Sequence, residues 1–186
     1  MKITDGEKLI LLMLSEIYDA LKIRGEIEPD FIRSAIFSDK MWSIHWKYSG
    51  IPFENEETPE IVKEVLDILD MWSTIEYSYR ELSEDDKKYL EKEAEPFGKD
   101  PKFIGFDGNN ETEYMSTASF IVNKLERFEE FAGRDFNSHC PLVEAYRRML
   151  RVFDESRDNL SFGPLSAKQL ANILKEKIHP ENRNKA

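Results

Sequence analysis

The chain has 186 residues, of which 40% are hydrophobic and 12% aromatic, and 26 Lys/Arg against 37 Asp/Glu give it a formal charge of −11. A chain of this length and apolar content buries a sizeable core as one domain, which excludes a disordered polymer, and its single Cys excludes an internal disulfide. The longest apolar run, LILLML at residues 9–14, is far short of the ~20 residues of a membrane span, and MKITDGEK has acidic residues where a signal peptide is basic, so a soluble cytoplasmic protein is expected.

The charge is unevenly spread. Residues 1–123 hold 14 Lys/Arg against 27 Asp/Glu, whereas residues 124–186 hold 12 against 10. Binding to a phosphate backbone needs clustered cations, so most of the chain repels nucleic acid and only the last third could host an anionic ligand. The plain alternative is that acidity keeps the protein soluble.

Helix signals recur along the chain and strand signals are nearly absent. Thr4 and Glu7 have capping-box spacing, and Leu9, Met13, Ile17 and Leu21 follow on one stripe. Gly25 and Pro29 punctuate the next stretch. Residues 29–50 read as one or two helices, broken near Ser38 and Asp39 and closed at Gly50. Thr58 and Pro59 then open the clearest pattern, in which Ile61, Val65, Leu69 and Trp72 recur at helical spacing. Ser83 with Asp86 caps a short acidic helix that ends at Pro96, Gly98 and Pro101.

FIGFDGNN at residues 103–110 is a glycine-bearing aromatic loop. Beyond it, Asn110 and Glu113 have capping spacing, Tyr114, Ala118, Ile121, Leu125 and Phe128 form a stripe, and Gly133 is a natural stop. Leu142, Tyr146, Met149, Leu150 and Phe153 point inward from the next helix, and Ser166 with Gln169 caps a last one. The pattern predicts about seven helices in one all-α domain over residues 1–180, with residues 181–186 as a frayed tail. Met-Trp-Ser occurs at residues 41–43 and 71–73, but no period continues into the flanks.

FIGFD at residues 103–107, then Tyr114, Phe136-Asn137 and the run from Pro141 through YRRML at residues 146–150 resemble the YfbU family. The segments LILLMLSEIYDAL, LDILDMWSTIEYSY and LSAKQLANIL fit the same pattern in order, so the resemblance spans nearly the whole chain. It implies an all-helical bacterial cytoplasmic protein that self-associates and has no established biochemical activity. No cofactor is expected.

RDFNSHCP at residues 134–141 raises the one catalytic possibility. Arg134, four intervening residues and His139 match the spacing of the catalytic motif of HEPN-type ribonucleases, which are all-helical and metal-independent. In such a reading His139 is the general acid or base on a ribose 2′-hydroxyl, and Arg134 stabilises phosphate charge. It requires Arg134, Arg147, Arg148 and Arg151 to converge on a cleft beside His139. The competing reading is a polar joint, in which Asn137 or Ser138 caps the following helix, Pro141 opens it and Arg134 pairs with local carboxylates.

Other signals are weaker. Cys140 beside His139 is an unfavourable geometry for a thiolate–imidazole pair, since adjacent residues seldom bring ring and sulfur together. GFDG lacks the lysine of a P-loop and the repeated oxygens of an EF-hand. A tight turn in which Asp107 accepts local hydrogen bonds accounts for it. His45, His139 and His179 are too dispersed for a metal site. Trp42, Trp46 and Tyr48 supply core area, an interface or a small-molecule pocket. The function expected is therefore self-association and contact with a protein partner, without catalysis, membrane insertion or a DNA-binding motif. Ribonuclease chemistry at Arg134 and His139 is the alternative.

Overall fold

Three helices begin where short-range chemistry says they should. Thr4 accepts from the Glu7 amide while the Glu7 carboxylate accepts from the Thr4 amide at 2.7 Å, which closes a capping box. Ser166 and Gln169 do the same, and Ser83 accepts from the Asp86 amide at 3.2 Å. Each cap satisfies amides that the first helical turn leaves without partners.

The computed structural model describes residues 3–54, 57–157 and 163–182. Among these the order is α1 (Asp5–Ala20), α2 (Pro29–Phe37), α3 (Ser43–Lys47), α4 (Glu60–Glu81), α5 (Glu84–Glu93), α6 (Thr112–Asn123), α7 (Val143–Arg157) and α8 (Ala167–Lys175). Two single 3-10 turns, Glu129–Phe131 and Pro180–Asn182, complete it. The fold is all-α, and eight helices form among the described residues, one more than the expected seven, because residues 29–50 break into α2 and α3. Residues 183–186 of the expected tail lie outside the described residues.

α4 is the spine. Val65, Ile68, Leu69, Met71, Trp72 and Ile75 are buried along it, and α6, α7 and α8 pack against it while α5 packs on α8. Phe103, Phe106, Phe131 and Phe136 enter this core from loops, with Phe103 and Phe131 rings 5.3 Å apart. A second, smaller cluster of Phe31, Ile32, Ala35, Met41 and Ile44 joins α2 and α3 to Phe120 of α6.

Three expectations fail for physical reasons. α6 stops at Asn123 rather than running to Gly133, because the chain turns through left-handed conformations at Glu126 and Phe128 and so delivers Phe131 to the core. Asn110 does not cap α6, whose N-cap is Glu111 with no side-chain bond. The start of α7 is served neither by Asn137 nor by Ser138. Instead Glu111 accepts from the amides of Leu142 at 2.8 Å and Val143 at 2.7 Å, a carboxylate at a helix N-terminus supplied from a distant loop.

α1 departs furthest from the usual pattern. It packs on α2, yet Ser15 is its one buried residue. The stripe read from the sequence points to solvent: Leu9 is 63% exposed, Met13 62%, Ile17 50% and Leu21 68%.

Candidate functional site

The octet at residues 134–141 is a joint built from two loops. The Phe106 amide donates to the Phe136 carbonyl and the Ser138 amide to the Phe106 carbonyl, both at 2.9 Å, forming one isolated parallel bridge. Asn137 Oδ1 accepts from the amides of Gly108 and His139, each at 3.0 Å. Gly105 sits at φ +87°, where a Cβ would lie 2.0 Å from the Phe136 carbonyl oxygen. Asp107 accepts from the Asn109 amide at 3.1 Å and from the Asn110 side chain. The Asn110 bond leads in holding the Asp107 carboxyl below its ordinary range, which is the tight turn the sequence indicates.

Arg134 does not face an open reaction centre. Its guanidinium makes a two-pronged bond to Glu76 at 2.7 and 2.8 Å, donates to the Glu130 carbonyl at 3.0 Å and lies 4.8 Å from the Phe131 ring centre. The Glu76 hydrogen bond pushes the Arg134 guanidinium further up from its ordinary range. With Asp135 and Phe136, Arg134 also edges a polar groove of about 480 Å³ shared with Ser116, Ser119 and Lys124. His139 does not line that groove. It is exposed, in a left-handed conformation at φ +56°, and Cys140 beside it is an exposed free thiol.

The neighbouring arginines are also engaged. Arg147 pairs with Glu64 and Glu144 and donates to the Tyr114 hydroxyl at 2.9 Å. The Arg147 hydrogen bond is the main cause of the lowered Glu64 carboxyl, and burial pushes the Tyr114 hydroxyl up to about 12. Arg148 spends its guanidinium on the carbonyls of Glu176 and Glu144, at 3.0 and 3.1 Å. Arg151 is exposed on the next turn of α7. Three of the four cations that a nuclease would need to aim at phosphate are therefore committed to groups within the fold. Among the described residues no cluster of three or more His, Cys, Asp or Glu could hold a metal ion, and no helix is long and apolar enough to cross a membrane.

The aromatic segment divides. Trp42 and Trp46 are half-buried and contact each other edge-on at 4.9 Å. Trp42 leans on Phe120, and Arg127 covers Trp46 at 4.7 Å from the ring centre. Tyr48 accepts from the Glu28 amide at 2.9 Å and lines an apolar groove.

That groove is the part of the surface that sequence reasoning missed. It has a volume of about 660 Å³ and runs between α1 and the segment from α2 to Phe53, with Ile10, Leu14, Ile32, Ile44, Ile51 and Phe53 among its walls. Beside it stands the exposed ridge of Leu9, Met13, Ile17 and Leu21. One signal could have found it. LILLML places aliphatic side chains around more than one face of α1, and a helix needs only one such face for its own core.

Ridge, groove and joint sit on a chain whose relatives are recognisable. The YfbU domain model matches residues 1–176. The UPF0304 protein MJECS11 of Methanocaldococcus jannaschii is 30% identical over 125 residues, which covers 64% of this chain and 70% of that protein. The chain belongs to the YfbU family.

Proposed function

We propose that this protein acts without catalysis, through self-association and contacts with other proteins, and that α1 with its adjoining groove is the working surface. One observation carries the reading. Eight large aliphatic residues between Leu9 and Ile27 are exposed, five of them on the walls of one groove, whereas soluble monomers rarely leave a contiguous apolar patch of more than a few hundred Å² open to water. A cytoplasmic setting belongs to the same reading and rests on composition, an acidic chain with one Cys.

Two measurements test it together. Light scattering over a wide concentration range reports assembly, and incubation with RNA in chelator, beside a His139→Ala control, reports catalysis. Assembly without RNA cleavage is the expected result. Cleavage by the wild type that His139→Ala abolishes would overturn the non-catalytic reading. A protein that stays monomeric and captures no partner would overturn the other half.

A further inference from the structure

We infer that the α1 surface is a two-fold interface with a second copy of this chain, in which the two α1 helices lie antiparallel and each copy's ridge fills the other's groove. The inference rests on the self-association reading and adds to it the surface, the partner and the symmetry.

The patch holds both halves of a contact side by side. Leu9, Met13, Ile17 and Leu21 project as a row spaced by four residues, the ridge that helix packing uses, and the groove walled by Ile10, Leu14 and Phe53 borders that row. A two-fold axis repeats the same patch on both partners, so one rotation satisfies ridge and groove together. A bound small molecule could occupy the groove but would leave Leu9, Met13 and Leu21 in water, since none of them lines it.

Charge fixes the direction. Asp5 and Glu7 stand in the first turn of α1, where Lys8 pairs with Asp5 at 3.5 Å and leaves the Glu7 carboxylate as the excess charge, and the helix has no basic residue in its last turn. Lys22 and Arg24 follow just beyond its C-terminal end, and both are exposed without an ion pair among the described residues. An antiparallel pair sets the acidic end of one helix against the cationic end of the other and opposes the two helix dipoles. A parallel pair would stack like charges at both ends. A lipid surface fits worse, because residues 3–28 hold six acidic residues against Lys8, Lys22 and Arg24, and anionic bilayers recruit helices with basic flanks.

The geometry makes a cross-linking pattern. With the axis passing between Met13 and Ile17, Met13 faces Ile17 and Leu9 faces Leu21 of the second copy. In a Cys140→Ser background, a mixture of Met13→Cys and Ile17→Cys chains should form a disulfide-linked dimer on oxidation. Leu21→Cys alone should not, but a mixture of Leu9→Cys and Leu21→Cys chains should. Met13→Asp buries a charge at the centre of the interface and should raise the dimer dissociation constant by about 30-fold or more. Its circular dichroism should be unchanged, since the side chain is exposed in one chain, and Leu9→Asp gives the same test from a second position.

A wild-type dimer that Met13→Asp and Leu9→Asp leave intact overturns this inference but not self-association itself. Cross-linking of Leu21→Cys with itself overturns the antiparallel arrangement. A wild type that is monomeric yet binds phosphatidylglycerol vesicles, and loses them with Met13→Asp, overturns it in favour of a membrane surface. A monomer that binds nothing overturns both readings.

Discussion

Glu76 is a carboxylate on the buried face of α4, four residues after Trp72 and only 8% exposed. It accepts from the Phe103 amide at 2.9 Å as well as from both prongs of Arg134, so it fastens α4, the 103–107 loop and the octet at one point. Losing one member of such a pair leaves the other buried and uncompensated, which costs about 3 kcal/mol or more. Arg134→Ala should lower stability by that amount in urea unfolding. Arg134→Lys should recover only part of it, because an ammonium lacks the planar fork. His139→Ala, at an exposed side chain, should stay within about 0.5 kcal/mol of the wild type. Equal losses at Arg134 and His139 would count against the assignment of Arg134 to structure. The sequence shows the Arg134–His139 spacing plainly but is silent on the partner. Glu76 lies 58 positions away, and the single local clue is a carboxylate at an apolar position of a helical stripe.

At the scale of elements, what could be read depended on range. Capping boxes at Thr4–Glu7 and Ser166–Gln169 are three-residue events, and they form as written. The cap on α7 comes from Glu111, 31 residues before Leu142, and no local pattern points to it. The pairing of residues 105–108 with residues 136–138 is of the same kind. The two stretches look like separate turns until the backbone brings them together. Two glycines separate conformation from contact here. Gly105 has φ +87° and backbone of Phe136 against its Cα, whereas Gly133 has φ +76° and nothing within 4 Å of an added Cβ. Gly133→Ala should cost about 1 kcal/mol, the left-handed conformation alone. Gly105→Ala adds a backbone collision that only separation of the loops relieves, and should cost about 3 kcal/mol in total. Thermal or urea unfolding of the two variants side by side measures the difference. Similar losses would mean that the loop pairing contributes little.

At the scale of the whole molecule, a helical period says that a stripe will be covered without saying by what. The stripes of α4 and α7 are covered by the chain's own core, while that of α1 is left outside it. A helix of α1's 16 residues is marginal in water without tertiary packing. Its own chain supplies α2 on one side, where Ser15 is buried and Leu11 packs half-buried against the cluster of Phe31 and Ile32. Local opening of α1 should therefore cost little in a single chain and much more when a second copy lies on the ridge. Hydrogen exchange reads this directly. Amides of α1 should exchange faster on dilution below the dissociation constant, about tenfold for each 1.4 kcal/mol of lost association. Amides in the centre of α4, between Val65 and Ile75, should respond far less, because their burial lies within one chain. Met13→Asp should show the fast α1 pattern at every concentration. If instead its α1 amides are protected as well as those of the concentrated wild type, α2 alone suffices to hold the helix, and the ridge needs no cover to remain folded.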